Sequence, residues 1–156
     1  MATMTALLAL LLASPPPYVE RDLPTRPEVA ASVTVAACVA DVDPLYLLAS
    51  VRAESSERVR AWGDQGRAWG LYQIHVQYAS RIAPWLYQDW RDPVQQGLLA
   101  GAVWARLIAR YGRGRAARVY ACGWLCRPGW TTPPRWGRQL KGLDGRTWDE
   151  YPEIAR

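Results

Sequence analysis

An N-capped apolar helix that runs into an acid and then into a glycine-dense turn is the segment that most restricts the folds open to this chain. Asp43-Pro44 sets a capping carboxylate before a proline suited to the first helical position, and Leu45 to Arg52 follows in good helix formers. Leu47, Val51 and Glu54 recur at the i, i+4, i+7 spacing, which puts the acid at the inner end of an apolar stripe. Burial there disfavours the charged carboxylate and raises its pKa. A carboxylic acid held protonated near neutral pH is what a general acid needs, and scission of a glycosidic bond requires one to protonate the leaving oxygen. Glu54 is the candidate for that role. The plainer alternative is a helix-terminal Glu that faces water or pairs with Arg52 or Arg58.

Beyond Glu54 the chain enters Gly63-Asp64-Gln65-Gly66 and then Trp69-Gly70-Leu71-Tyr72-Gln73-Ile74. Glycines at this density imply positive φ or close backbone approach. Tyr72 and Ile74 alternate with Leu71 and Gln73, which predicts a short strand with one apolar and one polar face. Gln73 would then present an amide to a sugar hydroxyl or N-acetyl group. Trp62 and Trp69 flank Asp64 and are the aromatic residues best placed to border a cleft.

These residues carry a family resemblance. Glu54-Ser55, followed by Gly70-Leu71-Tyr72-Gln73-Ile74, resembles the E-S and G-L-M-Q-I pair of soluble lytic transglycosylases and goose-type lysozymes. The segment from Gly63 through Asp64, Gly66, Trp69, Gly70, Leu71 and Gln73 to Ile74 is similar to the goose-type G-D-x-G-x-x-F-G-L-x-Q-V, with Trp for Phe. Tyr120-Ala121-Cys122-Gly123 resembles the Y-N-A-G motif with Ala for Asn, and Asp92-Pro93 with Gln95-Gln96 resembles the D-P-x-x-N start of the next major helix. The resemblance runs roughly from Pro44 to Gly123. It implies a mainly α, α+β lysozyme-like fold, with a small sheet or hairpin beside a helical lobe. It also implies cleavage of the β-1,4 bond between N-acetylmuramic acid and N-acetylglucosamine in peptidoglycan.

In that frame Glu54 is the acid and Asp64 the second carboxylate, with Ser55, Trp69, Tyr72, Gln73, His75 and Tyr120 as candidate substrate-binding residues. Two departures bear on the chemistry. The interval from Glu54 to Asp64 is a few residues shorter than the goose-type pattern, and His75 stands where that family has a further aspartate. Both tilt the expectation from inverting hydrolysis, in which a second carboxylate holds water, toward the anhydro product of a lytic transglycosylase. The loss of Asn from the tyrosine motif leaves open a glycan-binding relic that holds wall material without cutting it.

At 156 residues the chain has room for one sizeable core and no second domain. Residues 1–27 read as a signal-like apolar run followed by a proline-rich linker, 28–126 as the lysozyme-like domain, and 127–156 as a Pro- and Trp-rich extension packed on it. The apolar run from Ala6 to Ala13 is too short to span a bilayer and meets Ser14-Pro15-Pro16-Pro17, which favours export, although no Lys or Arg precedes it. A secretion or phage assembly is a further setting that the sequence leaves open. Helices are expected from about Pro27 to Ala40, over Val76 to Ile82, from Pro93 to Tyr111 with Val94, Leu98, Ala102, Ala105 and Ile108 on one face, over Arg115 to Ala121, and near Arg135 to Leu140.

Nine tryptophans and eight tyrosines with no phenylalanine mean that every aromatic ring carries a hydrogen-bonding atom, so each can stack on a sugar while bonding at its edge. Most are nonetheless expected in the core, Trp104 among them. The net charge of +5 is nearly all arginine and suits acidic wall polymers. Arg106, Arg110, Arg113, Arg115 and Arg118 could make a phosphate-binding stripe, but a solvated helix face is simpler and no nucleic-acid-binding motif accompanies them. Cys38, Cys122 and Cys126 are odd in number; Cys38 could pair with either of the others in an exported protein. Zinc held by Cys122, Cys126 and His75, or a Cys122-His75 hydrolase dyad, would leave the Glu54 to Gln73 constellation unexplained. Neither a metal nor an organic cofactor is expected.

Overall fold

The computed structural model describes residues 22–82, 90–122 and 134–144. The first helix, α1 (Pro27–Ala40), has Pro at its first position and Glu28 in its first turn, and stops where Asp41 turns left-handed at φ 54°. Asp43 then caps α2 (Pro44–Ser55) by accepting the Leu45 N–H at 2.8 Å, and Ser56 ends it in the same left-handed manner. Every residue from Pro44 to Val51 is buried. α2 is thus a central helix, apolar all round, rather than one with a single inward stripe.

Three two-residue strands follow: β1 (Trp62–Gly63), β2 (Ala68–Trp69) and β3 (Ile74–His75), antiparallel in that order. Trp62 pairs with Trp69 and Trp69 with Ile74, while Gly63 pairs with Ala68 and Ala68 with His75. One face of the sheet is therefore Trp62, Trp69 and Ile74; the other is Gly63, Ala68 and His75. Of the expected strand over Leu71 to Ile74, Ile74 lies in β3, but residues 71–73 form a turn, bounded by Gly70 at φ 73° and Gln73 at φ 48°. Positive φ at both ends bends the chain back on itself, so the alternation of Tyr72 and Ile74 does not describe one extended segment.

Helices α3 (Val76–Ile82), α4 (Pro93–Tyr111), α5 (Arg113–Cys122) and α6 (Pro134–Asp144) complete the order. Asp92 caps α4 by accepting the Gln95 N–H at 2.9 Å. The buried face of α4 is Gln96, Gly97, Ala100, Gly101, Val103, Trp104 and Leu107, whereas Val94 is exposed and Leu98, Ala102, Ala105 and Ile108 are only partly buried. The larger apolar stripe does not lead because α1 presses onto the small residues. A Cβ on Gly97 would lie 2.3 Å from the Ser32 carbonyl oxygen, and one on Gly101 would lie 2.5 Å from Val39 Cβ.

α6 packs on α2. The core joins Val29, Val33 and Ala36 of α1, Leu47, Leu48 and Val51 of α2, Leu71 and Tyr72 of the turn, Trp104 and Leu107 of α4, Ala116 and Ala117 of α5 and Trp136 of α6. The result is a mainly helical α+β fold with a small antiparallel sheet at one side. Trp104 is a core residue, as expected. Cys38, for which pairing with Cys122 or Cys126 was open, is a free thiol. It lies off the inward stripe of α1, and partial burial pushes its pKa up.

The end of the expected linker makes hydrogen bonds to the region around the end of α2. Thr25 Oγ1 donates to Glu57 Oε2 at 2.5 Å, Arg26 donates to the Glu57 carbonyl, and Arg52 donates to the Pro24 carbonyl at 2.5 Å. Residues 24–26 are strapped to the turn after α2. The apolar run before residue 22, and Cys126, lie outside the described residues.

Candidate active site

Glu54 sits in the last turn of α2, half-buried, with Oε1 accepting the indole N–H of Trp136 at 2.8 Å. Trp136 is completely buried and brings its ring within 5.8 Å of Tyr120 and 6.3 Å of Trp104. Tyr120 in turn stacks on Trp104 at 4.8 Å with an interplanar angle of 20°. The acid thus stands beside an aromatic wall built by α4, α5 and α6. The neighbouring arginines are directed elsewhere. Arg52 Nε donates to Glu57 Oε1 at 2.6 Å, and Arg58 Nε donates to the Ser55 carbonyl at 3.0 Å. This geometry displaces the plain reading of Glu54 as a surface acid paired with either of them.

Tyr120 lies beside Glu54, as the tyrosine motif implied. Its hydroxyl donates to the Tyr72 carbonyl at 2.7 Å, tying α5 to the turn before β3. Burial of that hydroxyl first, and the Glu54 carboxylate second, push the phenol well above its ordinary range, although the residue as a whole is only partly covered. Tyr120 is consequently a hydrogen-bond donor at any physiological pH. It holds the turn in place against the end of α2.

Two of the expected substrate-binding residues, Ser55 and Tyr72, have their hydroxyls buried. Ser55 is 1% exposed, and its hydroxyl donates to the Val51 carbonyl at 3.0 Å, one turn back in α2. Tyr72 is 2% exposed, with its hydroxyl 3.2 Å from Ser32 Oγ on α1; burial, opposed only in part by that bond, raises its pKa strongly. Both hydroxyls face the core because α1 and α2 need their polar atoms satisfied there. Gln73 remains at the sheet, but its amide Nε2 already donates to the Gly70 carbonyl at 2.8 Å and reaches the Ala61 carbonyl at 3.4 Å. The amide locks the turn first, leaving its oxygen as the atom with acceptor capacity for a ligand.

Asp64 opens the loop between β1 and β2, where Asp64, Gln65 and Gly66 take φ of 48°, 57° and 85° in succession. Its carboxylate is shared: Arg67 Nη2 lies 2.9 Å from Oδ1 and His75 Nε2 lies 3.0 Å from Oδ2. The side chains of Asp64 and His75 are 41% and 52% exposed. The structure therefore makes the aspartate and the histidine into one contact, joining the loop to β3.

On the opposite face of the sheet Trp62, Trp69 and Trp90 form a triangle with ring centroids 4.9 to 5.4 Å apart. Trp62 is 59% exposed, and Arg91 lies 4.7 Å from the Trp90 ring. Trp69, Tyr72, Ile74, Trp90, Gln96 and Leu99 line an apolar pocket behind this triangle.

Three contributors went unrecognised in the sequence. Trp136 lies 82 residues from Glu54 in a tail whose Trp and Pro content signalled no particular partner. Trp90 had no periodicity to place it. Gln96 is buried at the position of the Asn in the D-P-x-x-N pattern; its Oε1 accepts the Leu71 N–H at 2.7 Å while Nε2 donates to the carbonyls of Val59 at 2.8 Å and Trp90 at 2.6 Å. One amide thus fixes the glycine turn, the segment after α2 and the third tryptophan together. The D-P-x-x-N resemblance was the signal that could have found it.

No protein-family model matches the sequence, and no curated protein matches it either. Among solved structures, the chain is similar to an inactive Glu→Gln mutant of the lytic transglycosylase Slt from Pseudomonas aeruginosa, with 19% identity and a TM-score of 0.52 over 86% of this chain and 24% of that one. The chain spans about a quarter of the length of that protein. At this identity the likeness concerns the fold: the chain has a lysozyme-like fold of the kind found in lytic transglycosylase Slt.

Proposed function

We propose that this protein cleaves the β-1,4 bond between N-acetylmuramic acid and N-acetylglucosamine in peptidoglycan, as a lytic transglycosylase, with Glu54 as general acid. The observation that carries this reading is the placement of Glu54 at the inner end of a buried helix, against the Trp136 indole and beside Tyr120. The similar fold of Slt, whose Glu→Gln mutant is inactive, supports it.

Glu54 gives its proton to the glycosidic oxygen as the C–O bond breaks, and the leaving N-acetylglucosamine departs as an alcohol. The resulting carboxylate then takes the proton of the muramic 6-hydroxyl, whose oxygen closes on the anomeric carbon to give the anhydro sugar. The engagement of Asp64 by Arg67 and His75 favours this route over hydrolysis. A carboxylate whose two oxygens are each engaged by a neighbouring side chain has less acceptor capacity left to hold a water. Trp62 and Trp69 border the glycan path, with Gln73, His75 and Tyr120 beside it. The basic surface aids encounter with an acidic wall polymer, and the apolar N-terminal run favours export, in a wall-remodelling, secretion or phage setting.

The test is digestion of purified peptidoglycan by the wild type and by Glu54→Gln, with mass analysis of the released muropeptides. Release of anhydro ends by the wild type and a loss of at least about a hundredfold in the variant are expected. Equal release would refute the assignment of Glu54. Reducing ends in place of anhydro ends would move the reading to a hydrolytic lysozyme, and binding without release by either protein would identify a glycan-binding relic.

A further inference from the structure

The helix that carries Glu54 ends in a turn that L-residues do not adopt without support. Ser56 and Glu57 both stand in the left-handed region, at φ 53° and 60°, and neither is a glycine or an asparagine. One left-handed residue is a common helix stop, but a second directly behind it is strained and persists only where its surroundings hold it.

Glu57 is held at three atoms. Its Oε2 accepts from Thr25 Oγ1 at 2.5 Å, its Oε1 accepts from Arg52 Nε at 2.6 Å, and its carbonyl accepts from the Arg26 guanidinium. Arg52 is anchored in turn on the Pro24 carbonyl at 2.5 Å, and its own carbonyl accepts the Ser56 N–H at 3.1 Å. The bridge from Arg52 to Glu57 therefore spans the last turn of α2, the turn that contains Glu54. Beyond it, the Val59 carbonyl accepts from Gln96 at 2.8 Å and the Ala61 carbonyl accepts the Gly70 N–H at 2.9 Å, so the chain passes straight into the sheet region. The direction taken at Glu57 fixes how the sheet stands against the acid.

We propose that Glu57 is a positioning residue: clasped by Thr25, Arg26 and Arg52, it locks the exit from α2 and so sets Glu54 against the sheet region that bears Gln73 and His75. This rests on the reading of Glu54 as the acid. A general acid has to reach the glycosidic oxygen within hydrogen-bond distance, and a misplacement of about 1 Å costs about a hundredfold in rate. Residues 24–26 are thus a working part of the site, although they precede the first helix.

Glu57→Gly separates the turn from the clasp. Glycine takes positive φ without strain, so the left-handed turn persists while both carboxylate contacts are lost. Glu57→Gln keeps the shape and one acceptor oxygen, and Thr25→Val removes a single donor without changing any charge. Each variant is assayed on peptidoglycan as the full chain, well below its own Tm. The expected fall in kcat is about tenfold in Glu57→Gly and about threefold in Glu57→Gln and Thr25→Val, with KM changed less than about twofold. A role confined to stability would lower Tm and leave the kcat of the folded protein unchanged. Carbon-13 NMR of the Glu54 carboxyl reads its surroundings without any glycan, and its resonance is expected to move in Thr25→Val. Full kcat in Glu57→Gly, or a Glu54 resonance unmoved in Thr25→Val, would overturn the proposal. A moved resonance in a protein whose wild type cuts no peptidoglycan would keep the role of Glu57 in placing the carboxyl and refute the enzymatic reading instead.

Discussion

The tight approach of α1 to α4 at Gly97 offers a direct test of this fold. At Gly97, an added Cβ would stand 2.3 Å from the Ser32 carbonyl oxygen, with Ser32 C and Cα at 3.0 and 3.1 Å. All three atoms are backbone, so no side chain can rotate out of the way. Ordinary contact would require α1 and α4 to separate by about 1 Å, in a core where such separation leaves unfilled space; overpacking of this kind costs about 1–3 kcal/mol.

Helix propensity acts in the other direction, since Ala is better than Gly in a helix interior by about 1 kcal/mol. With rigid backbone on the opposing side, the steric cost lies near the top of its range, and Gly97→Ala should lose about 1–2 kcal/mol net. Gly142 in α6 provides the control, because a Cβ there meets nothing within 4 Å. Gly142→Ala should gain about 0.5–1 kcal/mol from propensity alone. Urea unfolding of both variants, compared at fixed m, reads the two signs directly. If Gly97→Ala is as stable as the wild type or more so, α1 and α4 do not meet as described.

Other expectations follow from named contacts. Glu57 is partly buried, which alone would raise its pKa, but the Thr25 and Arg52 hydrogen bonds and the Arg52 and Arg26 charges outweigh burial and lower it. Stability from this group is complete above the unfolded value of ~4.3 and is lost as pH falls through the lower folded value. Glu57→Gln should therefore flatten the acid side of a Tm-against-pH curve, and a curve unchanged below pH ~4.3 would contradict the strap. Gln96→Leu removes three hydrogen bonds and leaves the buried Leu71 N–H without its acceptor, so a loss of about 3 kcal/mol in urea unfolding is expected; less than about 1 kcal/mol would show that the amide holds nothing together. Trp62→Ala changes an exposed ring and should leave stability within about 0.5 kcal/mol while raising KM for glycan strands roughly threefold to tenfold. An unchanged KM would remove the tryptophan triangle from the substrate path.

Much of the helical framework was legible because its signals are local. Asp43-Pro44 and Asp92-Pro93 start α2 and α4 by capping geometry that acts within one turn, and both carboxylates accept the N–H bonds this predicts. Val76–Ile82 and Pro93–Tyr111 match the expected bounds, while α5 and α6 run somewhat beyond theirs. The choice of buried face was not legible in the same way. On α4 the periodicity of Val94, Leu98, Ala102, Ala105 and Ile108 suggested one face, yet Gly97, Ala100 and Gly101 won because α1 can come closest where side chains are smallest. The turn at Leu71 to Gln73 misled for a related reason, since positive φ at Gly70 and Gln73 breaks an alternation that looks extended on paper.

The candidate site divides along the same line. By itself, the sequence determined that an acid ends a helix with an apolar face ahead of a glycine-dense turn, because helix register and turn chemistry are written in neighbouring residues. Only the tertiary structure decided which side chains meet that acid. Trp136 reaches Glu54 across 82 residues, Tyr120 reaches the Tyr72 carbonyl across 48, and Asp64 is drawn to His75 by the pairing of three short strands. These contacts depend on how separate elements pack, and neither spacing nor composition within any one element carries that information.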